Sequence, residues 1–204
     1  MIIEKAIDMD FGVNTYIVGD EKTRKCIVID PGAKVEEILK ILEEKSLKVE
    51  YIVLTHGHGD HIGRVIKLVE RTGVKVVAHK DEEEILLDEK KNLSYRMPYG
   101  PQAFKADIYV NDKDKLSVGD MKLTFIHTPG HTKGSMCIRI DNHMFTGDTL
   151  FAGSIGRTDL YGGDYNQMEK SLKKLSKYEN ELFVYPGHGP STTLGVEKNT
   201  NPYM

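Results

Sequence analysis

The chain has 204 residues, 39% of them hydrophobic and 29% charged, with a net charge of −3 and a pI near 6.2. That length can bury a substantial core in one unit, and the slightly acidic balance argues against an electrostatic grip on nucleic acid. No apolar run approaches the ~20 residues of a membrane-spanning helix, and Met1-Ile2-Ile3-Glu4-Lys5 lacks a signal-peptide layout, so a cytoplasmic protein without a membrane partner is expected.

Residues 1–30 read as strands, with Asn14–Val18 and Lys25–Asp30 separated by the turn-like Gly19-Asp20-Glu21-Lys22. Pro31-Gly32 stops the second. Val35, Ile38, Leu39 and Leu42 then mark one face of an amphipathic helix. A strand over 51–55 leads into a histidine-rich loop, followed by a helix over 61–72 that Gly73 ends. Val74–Ala78 is another strand, and Asp81 with Glu84 predicts a short acidic helix by the capping pattern. Residues 91–106 carry Tyr95, Met97, Pro98, Tyr99, Pro101 and Phe104, and fit either a loop over a pocket or a surface excursion.

Strands return at 108–110, 121–127, 135–140 and 143–146, turning at Gly119-Asp120 and Asp141-Asn142. A helix over 166–178, capped at Asn166, buries Met168, Leu172 and Leu175, and Leu182–Tyr185 is a last strand. The alternation of strands and helices predicts an α/β fold, and the absence of a linker predicts one domain over 1–204. Cys26 and Cys137 each sit in an apolar strand, as two buried, reduced thiols would.

The chemistry concentrates in Thr55-His56-Gly57-His58-Gly59-Asp60-His61. A helix would send His56 and His58 to different faces, so they converge best from the loop between a strand and a helix. Neutral imidazole with carboxylate is a ligand set for zinc or iron. Thr128-Pro129-Gly130-His131 and Tyr185-Pro186-Gly187-His188 each place a histidine just after a strand, and Phe145-Thr146-Gly147-Asp148 places a carboxylate likewise. Open sheets build their sites at strand ends. His79, His127 and His143 have no partner at ligand spacing and read as structural or surface residues. Asp30 could orient a ligand or cap a turn.

These four motifs, in their order along the chain (55–61, 128–132, 146–151 and 186–189), resemble the metallo-β-lactamase superfamily, and within it the short glyoxalase II-like hydrolases. The resemblance implies a four-layer αβ/βα sandwich with two divalent metal ions at one edge, zinc first, with iron or manganese as alternatives. Carried over position by position, His56, His58 and His131 would hold one metal, Asp60, His61 and His188 the second, and Asp148 would bridge them. It further implies thioester hydrolysis of the hydroxyacylglutathione type by a metal-bridging hydroxide, with Asp60 also steering that hydroxide. Arg157, in Gly-Arg-Thr-Asp, resembles a position near the substrate, and Tyr161 or Tyr165 would join it in binding a small thioester or ester. The C-terminal helical extension that binds glutathione in full-length glyoxalase II is not expected, because the chain ends soon after His188.

Two rivals follow. Persulfide dioxygenases resemble this chain too, including Gly-Arg-Thr-Asp, and use a single iron at the positions of His56, His131 and Asp148. A non-catalytic module would use its metals only to hold loops, although structural zinc sites are usually closed and cysteine-rich. A β-lactamase is disfavoured because neither cysteine lies in a ligand loop, and a nuclease by the acidic balance.

Overall fold

The computed structural model describes all residues from Met1 to Met204. Its first half runs β1 (Ile2–Ile7), β2 (Asn14–Gly19), β3 (Lys25–Ile29), α1 (Val35–Glu44), β4 (Lys48–Val53), α2 (Gly59–Ile62), α3 (Val65–Thr72), β5 (Lys75–His79), α4 (Glu83–Leu86) and β6 (Ile108–Val110). The second half runs β7 (Lys115–Val118), β8 (Met121–His127), β9 (Met136–Ile140), β10 (His143–Gly147), β11 (Leu150–Phe151), β12 (Ser154–Ile155), α5 (Tyr165–Leu175), β13 (Phe183–Pro186), β14 (Thr192–Thr193) and α6 (Leu194–Thr200).

Strands β1 to β6 form one sheet in chain order, and the other follows β14-β13-β10-β9-β8-β7. In the first sheet β3, β4, β5 and β6 are parallel, as helical crossovers demand. Side chains alternate across each strand: Cys26 and Val28 of β3 face the helices, while Ile27 and Ile29 face the other sheet. Both faces are thus buried, which explains the continuous apolar strands.

Three cores fill the gaps between four layers. Ile38, Leu42 and Leu68 of α1 and α3 pack on Val28, Ile52 and Ala78. Ile27, Val53 and Val77 meet Leu123, Phe125, Ile138 and Phe145 between the sheets. Met168, Leu172 and Leu175 of α5, with Leu194 of α6, cover Ile126, Cys137, Met144 and Val184. The fold is the expected four-layer αβ/βα sandwich. Both cysteines are buried and unpaired, and no helix is long and apolar enough to cross a membrane.

Several predicted boundaries move. The strand at 51–55 begins earlier, at Lys48, and ends at Val53. The helix at 61–72 is two helices, α2 and α3, broken at Gly63 and Arg64. The backbone leaves the helical region at Arg64, with φ −119° and ψ 7°, and only glycine fits at 63, where a Cβ would lie 2.3 Å from the Tyr99 ring. The helix at 166–178 is α5, over 165–175, and its cap is Asp164, whose carboxylate accepts from Gln167 N at 3.0 Å. Asp81 and Glu84 form no capping box: His79 caps a 3-10 turn over 80–82, which runs into α4. Strands β7, β11, β12 and β14 and helix α6 are short, and the sequence pattern does not announce them.

Candidate metal centre

The histidine loop leaves the C-terminal end of β4, and His131 sits in the turn between β8 and β9. Asp148 follows β10 and His188 follows β13, and these two strands run parallel with Phe145 opposite Tyr185. Their ends therefore emerge side by side. Met136 N donates to Thr55 O at 2.9 Å and ties the sheets together beside the cluster.

All seven candidate ligands meet there. His58 Nδ1 and His56 Nε2 lie 2.8 and 3.2 Å from His131 Nε2. His188 Nε2 lies 3.3 Å from His61 Nε2 and 3.2 Å from Asp60 Oδ2. Asp148 reaches both groups, with Oδ1 3.2 Å from His61 Nε2 and Oδ2 3.4 Å from His131 Nε2. Two ligands held about 2.0–2.1 Å from one tetrahedral ion stand about 3.3 Å apart, close to these separations.

Hydrogen bonding fixes the ring orientations. His131 Nδ1 faces the carbonyl of Arg157 at 2.7 Å and must donate to it. His61 Nδ1 donates to Asp30 Oδ2 at 2.9 Å. Thr55 Oγ1 gives its proton to Asp30 Oδ2 at 2.5 Å and so accepts from His56 Nδ1 at 3.1 Å. Each of these three rings then turns an Nε2 lone pair inward. Lone pairs packed this closely repel unless a cation lies between them. Asp148 Oδ1 is also buried without a hydrogen-bond partner. The donor set fits divalent metal ions.

The charges agree. Burial pushes His58 down to about 3 and holds His56 far below an ordinary imidazole. Burial opposes ionisation of Asp148, yet His61 and His131 hold its carboxyl well below the usual carboxylate range. His56, His58 and His131 are thus held neutral and Asp148 ionised, the forms that ligate metals. At His61 and His188 burial is outweighed by Asp148 and Asp60, which raise both rings above an ordinary imidazole, so an ion there would displace a proton.

The metallo-beta-lactamase superfamily model matches residues 8–188, most of the chain. The chain belongs to that superfamily. It is 36% identical over 206 residues to an uncharacterized protein of Aquifex aeolicus, covering 100% of this chain and 97% of that one. It is 32% identical over 199 residues to the hydroxyacylglutathione hydrolase GloC of Haemophilus influenzae, covering 95% and 93%. Among solved structures, the B3 metallo-beta-lactamase BLEG-1 superposes with a TM-score of 0.91 at 32% identity, covering 99% of both chains. TTHA1623 in a di-iron-bound form gives 0.85 at 33% identity, covering 98% of this chain and 100% of that one. ETHE1 from Myxococcus xanthus gives 0.82 at 31% identity, covering 99% and 84%.

This superfamily member places its other candidates less uniformly. The Arg157 guanidinium is exposed and pairs with both oxygens of Asp159, at 2.7 and 2.8 Å. What Arg157 offers the cluster is its backbone carbonyl, which a sequence pattern does not reveal. The Tyr161 hydroxyl donates to Glu84 Oε1 at 2.5 Å, and Lys91 Nζ sits 4.7 Å from its ring centre. Tyr165 is exposed as the first residue of α5.

Of the two jobs the sequence left open, Asp30 takes the orienting one: besides His61 it holds Thr55, whose N donates to Oδ1 at 2.7 Å, and its side chain does not cap the Pro31-Gly32 turn. His79 and His127 stack 3.9 Å apart at 11°. Asp81 brings a carboxylate within 4.8 Å of a nitrogen of each ring, a partner at ligand spacing that the sequence pattern did not suggest, while His79 Nδ1 accepts from Asp81 N and His127 Nε2 donates to Lys133 O. His143 stacks on Phe183 and bonds the Tyr185 hydroxyl at 3.0 Å.

Loop 91–106 folds against the back of the histidine loop. Gly59 N donates to Asn92 O at 2.7 Å, and the Tyr99 hydroxyl donates to Gly59 O at 2.9 Å. Sequence reasoning missed Asn14 and Tyr16, whose side chains hold the His188 turn. Asn14 Nδ2 donates to Pro186 O and Gly189 O, both at 2.9 Å, and the Tyr16 hydroxyl donates to Pro186 O at 2.8 Å. A buried asparagine in an apolar strand was the available signal.

Proposed function

We propose that the chain is a dinuclear metal-dependent hydrolase acting on small thioesters of the hydroxyacylglutathione type. One observation carries this reading: seven cysteine-free donors form two triads with Asp148 reaching both. We assign His56, His58 and His131 to the first ion, Asp60, His61 and His188 to the second, and Asp148 to both. Zinc suits the donors best, with iron or manganese next. Divalent ions at such a site lower the pKa of coordinated water to about 7 and polarise a carbonyl.

The chain's own residues supply the geometry. Asp30, Thr55 and the Arg157 carbonyl fix the rings of His61, His56 and His131, so their lone pairs are aimed before any ion arrives. Asp60, whose Oδ2 lies beside His188 Nε2, is proposed to steer the attacking hydroxide in addition to holding the second ion. Arg157, Tyr161 and Tyr165 are proposed to meet the thiol-bearing part of the substrate. Water adds to the thioester carbonyl, the C–S bond breaks, and the thiol leaves with a proton. The 32% identity to GloC supports this substrate class.

Metal analysis of chelator-free protein, run alongside S-lactoylglutathione hydrolysis, tests the reading. About two ions per chain with turnover is expected. The likeness to ETHE1 favours a second reading, persulfide oxidation at one iron. One iron per chain, with oxygen uptake on glutathione persulfide and no thioester cleavage, would establish it. The fit to BLEG-1 makes β-lactam opening the third arm of the panel.

A further inference from the structure

Glu82 is a fully buried acid outside the ligand set, and it touches both loops that supply the first triad. It ends the 3-10 turn after β5 and is 1% exposed. Its Oε1 accepts from Gly57 N at 2.8 Å, and Gly57 is the spacer between His56 and His58. Its Oε2 accepts from Gly134 N at 2.8 Å and from Thr132 Oγ1 at 3.0 Å, and Thr132 directly follows His131.

The two loops belong to different sheets, so this one carboxylate spans the seam beneath the triad. Both loops also have glycine where Glu82 comes close. A Cβ on Gly134 would lie 2.4 Å from Oε2, and one on Gly57 would lie 2.4 Å from Ile85 Cγ2 and 3.3 Å from Oε1. None of its hydrogen-bond partners is a cation, so dipoles alone balance the charge, and burying a carboxylate that way is costly. An amide could not replace it. The amide nitrogen would present N–H to a backbone N–H on one side or the other.

We propose that Glu82 is a positioning residue, locking the His56/His58 loop to the His131 loop and so setting the affinity of that triad for its metal. The inference rests on the two-metal reading above. It predicts that the Asp60/His61/His188 triad, which Glu82 does not touch, is indifferent to it.

The experiment is a competitive chelator titration with zinc on full-length wild type, Glu82→Gln and Gly134→Ala. Cobalt(II) absorption spectra are recorded in parallel, and His56→Ala and His188→Ala proteins assign the two binding classes. Loss of a residue that orients ligands typically costs 10- to 100-fold in metal affinity. A loss of that size confined to the His56 class is expected in both Glu82→Gln and Gly134→Ala, with an altered cobalt spectrum. Unchanged affinity in that class overturns the proposal, and so does an equal loss in both classes.

If Glu82→Gln does not fold, Thr132→Val removes one of the three donors at constant volume, and a shift of several-fold in the same class is expected. No shift there overturns the proposal. A wild type that binds one ion at the His56 class refutes the dinuclear reading alone, and the Glu82 effect is then read on that ion. A single ion at the His188 class, or no ion, overturns both.

Discussion

Asp30 holds His61 through an Nδ1–H···Oδ2 bond of 2.9 Å, with both side chains buried. The bond fixes the ring so that its Nε2 points at Asp148 Oδ1, 3.2 Å away. Carboxylate–imidazole pairs of this kind set ring orientation and raise ligand basicity.

Asp30→Asn tests that pair. Asp30 has φ +50°, a region asparagine tolerates, so the variant keeps the backbone. Metal affinity at the His61 triad is expected to fall 10- to 100-fold, and the His56 triad is expected to weaken with it, because the same Oδ2 takes the Thr55 proton that orients His56. Chelator competition separates the two, and full retention at both would deny Asp30 its orienting role.

How much of this was legible in the sequence depends on distance along the chain. The apolar stripe of α1, the β-branched strands and the Pro-Gly-His turns are local patterns, and each marks an element or a ligand loop. The seven side chains do come together in one cluster. The split between α2 and α3 was invisible because nothing in the local pattern marks Arg64, where the backbone leaves the helical region. The cap at Asn166 was a reasonable pattern, but Asp164 offers an earlier acceptor. Glu82 is one acid among Asp81–Glu84, and only the fold turns it inward. The Arg157 carbonyl is a backbone atom and leaves no mark in the pattern.

Arg157→Ala separates the side chain from the carbonyl. The guanidinium is solvent-exposed and bound to Asp159, so its loss leaves His131 its partner. Metal content is expected to be unchanged while KM for the thioester rises about tenfold, the scale of one charge-assisted hydrogen bond. Unchanged kinetics would remove Arg157 from the substrate site, and lost metal would mean that the loop itself had moved.

Phe145→Ala probes the core beneath the cluster. Phe145 is fully buried between the sheets, edge-on to Tyr16 at 5.2 Å and stacked on Tyr185 at 5.0 Å. Truncating such a ring costs about 3–5 kcal/mol, read as a lower urea midpoint at constant slope. Because Tyr16 also holds Pro186 O, metal affinity at the His188 triad is expected to fall with stability. A stability loss below about 1 kcal/mol would mean that the two tyrosines close the cavity.

Glu82 makes a pH prediction whose sign runs against its proposed benefit. Burial pushes its carboxyl up to about 7 from 4.5, against the pull of its three hydrogen bonds, and Asp81 adds to the rise. Between those values the folded protein holds a proton that the unfolded chain has lost. Glu82's contribution to stability is therefore full below about 4.5 and is lost as pH rises through about 7. The shift corresponds to about 3 kcal/mol. Glutamine does not titrate, so the stability of wild type minus Glu82→Gln, measured by urea unfolding of metal-free samples, isolates the effect. That difference is expected to fall by about 3 kcal/mol between pH 4.5 and 8. A flat difference would mean that three donors hold Glu82 ionised at no cost. A falling one would mean that the chain gives up stability at neutral pH to keep a charged clamp between two ligand loops.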